Sequence, residues 1–258
     1  MRRTFSMLAA LSALVITSTA SAQAAKWVAG RHYAVIPAQR TQVPAGKVEV
    51  LEVFSYGCPA CNTYRPWMKQ IEKSLPKNAQ LAYLPAAWNT AENWPVFQRA
   101  YLTAQSLGVA DKAHDAMYDL IWTTGELSVV DRASGRLKRN LPTIEDVARQ
   151  YERLTGVKAA QFVAASKSFA VDLKIRQADA QIKAMQIPGT PTLVVAGKYR
   201  IENNAVQTLE DTIALINFLV AKESASAAAG AAKPAAPSSA RAPAPAAKTP
   251  ATAPVAKP

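Results

Sequence analysis

Cys58 and Cys61 are the two cysteines of a 258-residue chain, and only Pro59 and Ala60 lie between them. Thiols at this spacing can close into a small disulfide ring or open to a dithiol. They stand between a β-branched run ending at Phe54 and a segment with helical spacing, Tyr64, Trp67, Met68, Ile71 and Leu75. A helix begins with backbone N–H groups that lack partners, and these favour negative charge on the first sulfur. Cys58 therefore reads as the exposed, reactive thiolate and Cys61, one turn in, as its shielded partner. Stabilising the thiolate stabilises the reduced pair, which makes the disulfide an oxidant of other thiols.

Competing chemistries fit less well. Zinc needs four ligands, and only His32 and His114, from distant segments, could join the two cysteines. Asn62 rather than His follows Cys61, which excludes haem attachment. A structural staple over so short a loop would constrain the unfolded chain little. Glu52, six residues before Cys58, shares a strand face with Val50 and Phe54. In a central strand it would be a desolvated carboxyl of raised pKa, able to take a proton from Cys61. The alternative is that it reaches an edge or pairs with a lysine. Glu49, on the opposite face, reads as an ordinary surface acid.

The elements that must position these groups follow from pattern. Val48 to Phe54 is a buried strand, bounded by Pro44-Ala45-Gly46 and Gly57. Pro59 suits a first helical turn, Pro66 should kink the helix, and Pro76-Lys77-Asn78 ends it. Gln80 to Leu84 reads as a second strand. From about Ala91 to Ala184 the periodicity is helical, with Gly108 and Gly156 as stops and Thr143-Ile144-Glu145-Asp146 as a start. Within it, Asp131 to Pro142 carries Arg132, Arg136, Lys138 and Arg139, read as a solvated basic loop. Thr192 to Ala196, a turn at Gly197-Lys198, and Tyr199 to Ile201 form a hairpin, and Leu209 to Val220 a closing helix. Pro191 cannot donate into a sheet ladder, so Ile187-Pro188-Gly189-Thr190-Pro191 belongs at a strand entrance. Pattern alone leaves its peptide bond trans by default.

The ends have their own signatures. Arg2 and Arg3, an apolar stretch from Met7 to Ile16, and Ala20-Ser21-Ala22 predict a secretory signal over residues 1–22. Export would place the mature chain in an oxidising compartment, the periplasm. Ser224 to Pro258 is rich in Ala, Pro and Lys and predicts a disordered tail. Thirty basic residues against 18 acidic ones give a formal charge of +12, but Arg2, Arg3, Lys233, Arg241, Lys248 and Lys257 supply six of that excess. With no interleaving of basic and aromatic residues, this does not indicate nucleic-acid binding. No apolar run reaches the ~18 residues that span a bilayer.

Phe54-Ser55-Tyr56-Gly57-Cys58-Pro59-Ala60-Cys61, followed after a helical stretch by Gly189-Thr190-Pro191-Thr192, resembles the DsbA family of periplasmic thiol-disulfide oxidoreductases. The resemblance covers roughly Lys26 to Lys222. It implies an α/β thioredoxin fold with an inserted all-helical domain: residues 23–90 and 185–223 form the thioredoxin part and 91–184 the insertion. It implies Cys58 as the attacked and attacking sulfur, Cys61 as the resolving one, Pro191 as a cis-proline facing the disulfide, and Glu52 as the buried acid. Thr190 would contact substrate backbone, with Pro59 and Ala60 also meeting the substrate. The partners implied are reduced, unfolded exported proteins and a DsbB-like inner-membrane reoxidant. Neither a cofactor nor a metal is implied, and the chain would be a monomer. Ala60 stands where the enteric pattern has His, which implies a less depressed Cys58 pKa and a milder oxidant. Thr190 departs from the Val common in DsbA and is similar to disulfide isomerases, although roughly 25 residues between Gln23 and the first strand leave no room for a dimerisation module. The alternatives are an isomerase or reductase of the same fold, and an exported chaperone-like binding protein with incidental cysteines.

Overall fold

Val48–Phe54 (β2) is buried at every residue, because it is covered on both faces and paired along both edges. The computed structural model describes residues 26–231. Ala79–Pro85 (β3) runs parallel to β2 on one side, and Thr192–Val195 (β4) runs antiparallel to it on the other. Tyr199–Ile201 (β5) and Tyr33–Val35 (β1) complete a five-stranded sheet in the order β1-β5-β4-β2-β3. The edge strand β1 has no counterpart among the sequence expectations. Glu52 faces Tyr83 across one ladder and Leu193 across the other, which makes β2 a central strand.

Side chains alternate across the sheet. Val48 and Val50 face Pro59–Ser74 (α1) and Leu209–Ala231 (α7), packing with Met68, Ile71, Leu215 and Leu219. Leu51 and Val53 join the opposite cluster, with Phe97, Met117, Val147 and Phe162 of the insertion. Five helices build that insertion: Trp94–Ser106 (α2), Ala110–Tyr118 (α3), Ile144–Thr155 (α4), Ala159–Ser166 (α5) and Phe169–Ala184 (α6). The expected start of α4 is a capping box, in which the Thr143 hydroxyl accepts from the Asp146 N–H while the Asp146 carboxylate accepts from the Thr143 N–H. Gly156 ends α4 in the left-handed conformation at φ 85°. α1 continues through Pro66.

The helical insertion also carries a single π-type turn, Asp119–Thr123, after α3, and an irregular stretch, residues 124–143, with one bridge between Val130 and Leu137. Two expectations need correction. Glu49 is fully buried rather than a surface acid, since it shares a face with Leu51 under the insertion. The Gln42 N–H reaches its carboxylate at 2.5 Å. The closing helix runs past Val220 to Ala231, so Ser224 to Ala231, read as tail, is helical. Alanine is the best helix former and needs no packing to continue a turn already nucleated. The expected signal and the remainder of the tail lie outside the described residues.

Candidate active site

The chain leaves β2 at Phe54 and enters α1 at Pro59, and the loop between is fixed by its own backbone. Ser55 O accepts from Cys58 N–H at 3.1 Å, and Ser55 Oγ accepts from Gly57 N–H at 3.2 Å. A side chain at Gly57 has no space, because a Cβ there would lie 2.6 Å from the Trp94 ring. Cys58 thereby becomes the capping residue of α1, with extended backbone at φ −83° and ψ 116°, and Pro59 occupies the first turn. Its Sγ accepts from the Cys61 N–H at 3.3 Å. The two sulfurs are not bonded to each other.

The cis-proline loop closes over this sulfur. The Thr190–Pro191 peptide bond is cis. The Thr190 carbonyl lies 3.4 Å from Cys58 Sγ, where it accepts from the thiol form. Cys58 is consequently only 4% exposed, against the expectation of an open thiolate, and Cys61 is wholly buried. The accessible flank is formed by Pro59 and Ala60, both exposed.

Electrostatics separates the two thiols. The Cys58 thiol falls from 9.0 to about 6, chiefly through the hydrogen bond from the Cys61 thiol, against the cost of burial. The Thr190 side chain and the Cys61 and Ala60 N–H groups also lower it. Burial drives Cys61 strongly upward, reinforced by its bond to Cys58 and by the charges of Cys58 and Glu52. Glu52, 2% exposed, rises from 4.5 to about 8, first through desolvation and then through the Cys58 charge. The structure thus brings Cys58, Cys61, Glu52, Thr190 and Pro191 into one site.

Several supporting residues carried no signal in the sequence. Asn203 Nδ2 donates to the Pro191 carbonyl at 2.8 Å, and Arg200 donates to the Met185 carbonyl at 3.3 Å at the end of α6. Together they fix both ends of the cis-proline loop. The Trp122 indole donates to the Tyr56 carbonyl at 2.9 Å, and the Tyr56 hydroxyl bonds His114 Nδ1 at 3.1 Å. His114 sits among the rings of Phe54, Tyr83 and Tyr118, and burial lowers it to about 4. His32 instead accepts from the Val28 N–H at 3.0 Å. The two histidines that zinc would require are thus engaged elsewhere. A cleft of about 470 Å³, lined by Trp88, Ile182, Lys183 and Ile187, adjoins the cis-proline loop.

Residues 49–214 match the family profile of the DSBA-like thioredoxin domain. The thiol:disulfide interchange protein DsbA of Pseudomonas aeruginosa is 30% identical over 221 residues, 86% of this chain and 97% of that relative. Its namesake in Pseudomonas syringae pv. tomato is 31% identical over 210 residues, 81% and 91% of the two chains. The crystal structure of oxidoreductase DsbA from Xylella fastidiosa matches with a TM-score of 0.65 at 31% identity, covering 77% of this chain and 98% of that one.

Proposed function

The chain belongs to the family of DSBA-like thioredoxin domains, and from that premise we propose that it donates a Cys58–Cys61 disulfide to reduced, unfolded proteins. One observation carries this reading: at the head of α1 the Cys58 thiol is lowered to about 6 while Cys61 is driven the other way. Such a pair has one good leaving sulfur and one poor one.

The proposed exchange follows from that asymmetry. A substrate thiolate attacks Cys58 Sγ, the Cys58–Cys61 bond breaks, and its electron pair goes to Cys61. Buried Cys61 cannot retain the charge and takes a proton. Glu52, held at about 8, carries one at neutral pH and is the proposed donor. The second substrate thiolate then attacks the substrate sulfur of the mixed disulfide and expels Cys58 as a thiolate, its stable form at pH 7. Two substrate thiols become a disulfide, and the enzyme pair gains two electrons. Substrate backbone would lie along half-buried Thr190 and Pro191, with Pro59 and Ala60 on its open side.

No helix among the described residues is long and apolar enough to cross a membrane. The reading places the enzyme in the periplasm as a monomer, reoxidised by a DsbB-like inner-membrane protein. Thr190, similar to the isomerase pattern, supports a second reading as a disulfide isomerase. The test mixes the oxidised protein with a reduced, unfolded substrate and, separately, the reduced protein with a scrambled one. Faster disulfide donation, abolished by Cys58→Ser, supports the oxidase. Faster reshuffling selects the isomerase, and activity that survives Cys58→Ser overturns both.

A further inference from the structure

The solvated basic loop is held as an ordered hairpin over residues 131–139, exposed at every position but Lys138. Asp131 N–H donates to the Arg136 carbonyl at 2.8 Å, Gly135 N–H to the Asp131 carbonyl at 2.8 Å, and Lys138 N–H to the Val129 carbonyl at 2.9 Å. The acid of the hairpin, Asp131, is exposed, and its carboxylate is engaged by the Ser134 N–H and hydroxyl, each at 2.8 Å, with Lys138 the nearby cation that also lowers its pKa. Ten ion pairs join acids and bases among the described residues, and none includes Arg136, Lys138 or Arg139. Three cations are thus held on a fixed turn with no ion-pair partner of their own, and Leu137 between them is 48% exposed.

The position of the hairpin gives these charges a use. At its start, Arg132 donates to the Trp122 carbonyl at 3.1 Å and also to the Thr123 carbonyl, and the Trp122 indole holds the Tyr56 carbonyl. Beyond its end, the Pro142 carbonyl accepts from the Asn93 amide at 2.6 Å, and the next residue, Trp94, lies against Gly57. The base of the hairpin is thus joined to the Tyr56-Gly57-Cys58 loop by two short relays, through Trp122 on one side and through Asn93 and its neighbour Trp94 on the other.

We propose that Arg136, Lys138 and Arg139 form a docking edge for acidic stretches of the polypeptide substrate, with Leu137 as an apolar contact between the charges. This rests on the reading of the chain as a disulfide donor. Long-range attraction of this kind raises encounter rates and is screened by salt. The connection of the hairpin base to the Cys58 loop through Trp122 favours a polypeptide over a membrane surface.

The test uses two peptides that share one cysteine pair, flanked either by Asp and Glu or by Gln, together with Ser-for-Cys copies that report binding without chemistry. The expected result is oxidation of the acidic peptide on the order of tenfold faster at ~0.01 M salt. That advantage should collapse at ~1 M, where the screening length falls from ~30 Å to ~3 Å. The combined variant Arg136→Glu, Lys138→Glu, Arg139→Glu should invert both the rate ratio and the binding ratio. Each ratio is internal to one protein, so a general loss of activity cancels. Equal ratios in the native chain and the variant would overturn the docking edge. So would charge-dependent capture by anionic phosphatidylglycerol vesicles with no peptide preference. If neither peptide is oxidised, disulfide donation fails, while the Ser copies still decide the docking.

Discussion

Replacing Thr190 by Val removes a hydroxyl beside Cys58 and keeps the β-branched shape. The Cys58 thiolate is held first by the Cys61 thiol, with the Thr190 side chain as a second donor. A hydrogen bond to a charged group contributes ~1.5–3 kcal/mol, and one pKa unit corresponds to ~1.4 kcal/mol. At the lower bound, Cys58 moves up by about one unit, from about 6 toward ~7. The thiolate fraction at pH 7 then falls from about nine-tenths to about half. Linkage converts this into a reduced state destabilised by about 1 kcal/mol at pH 7, which is about 20 mV toward a more reducing potential for a two-electron couple. Thiolate absorbance of the reduced protein against pH reads the first quantity, and equilibrium with a glutathione buffer reads the second. Thr190→Ser should restore both. An unchanged or lowered pKa in Thr190→Val would refute the assignment of the hydroxyl as a thiolate donor.

Two further substitutions probe the same site. Glu52 has a folded pKa of about 8 against 4.5, so between these values the unfolded chain ionises while the folded one stays protonated, and stability falls by ~1.4 kcal/mol per pH unit. Glu52→Gln should remove this slope in urea titrations run from pH 5 to 8. It should also slow the attack that opens the Cys58–Cys61 bond, the step in which Cys61 takes a proton, by ~100-fold or more, seen as a slower appearance of the mixed disulfide with a reduced peptide. An unaltered slope would show that the carboxyl is not desolvated. Gly57→Ala places a Cβ 2.6 Å from the Trp94 ring. It should cost ~1–3 kcal/mol in thermal or denaturant unfolding, and a neutral effect would mean that the ring yields freely.

The core of the site was legible because its signals are local. Seven consecutive strand-forming residues ending in the CxxC run marked β2, and its burial on both faces decided between the two readings of Glu52 in favour of a central, desolvated acid. Thr143 and Asp146 marked a helix start through their own side chains. What escaped depends on partners remote in the chain. β1 is three residues long and exists through pairing Tyr33 with Ile201. Glu49 is buried because the insertion lies over its strand face, which alternation alone cannot reveal. Trp122, Asn203 and Arg200 act through backbone carbonyls, and a carbonyl leaves no mark on residue type. Asp131 to Pro142 was legible as a loop, but not its anchors, because Arg132 bonds the remote Trp122 carbonyl and Asp131 the Ser134 N–H.

The pairing of Val50 with Val195 has a consequence for biogenesis. A ribosome delivers β2 long before β4, and everything from α1 to α6 must appear in the interval. Throughout that time the longest fully buried strand among the described residues lacks one neighbour, and loop closure across so much chain is entropically slow. An enzyme that matures other newcomers is itself, by its topology, a late finisher that needs shielding while it waits.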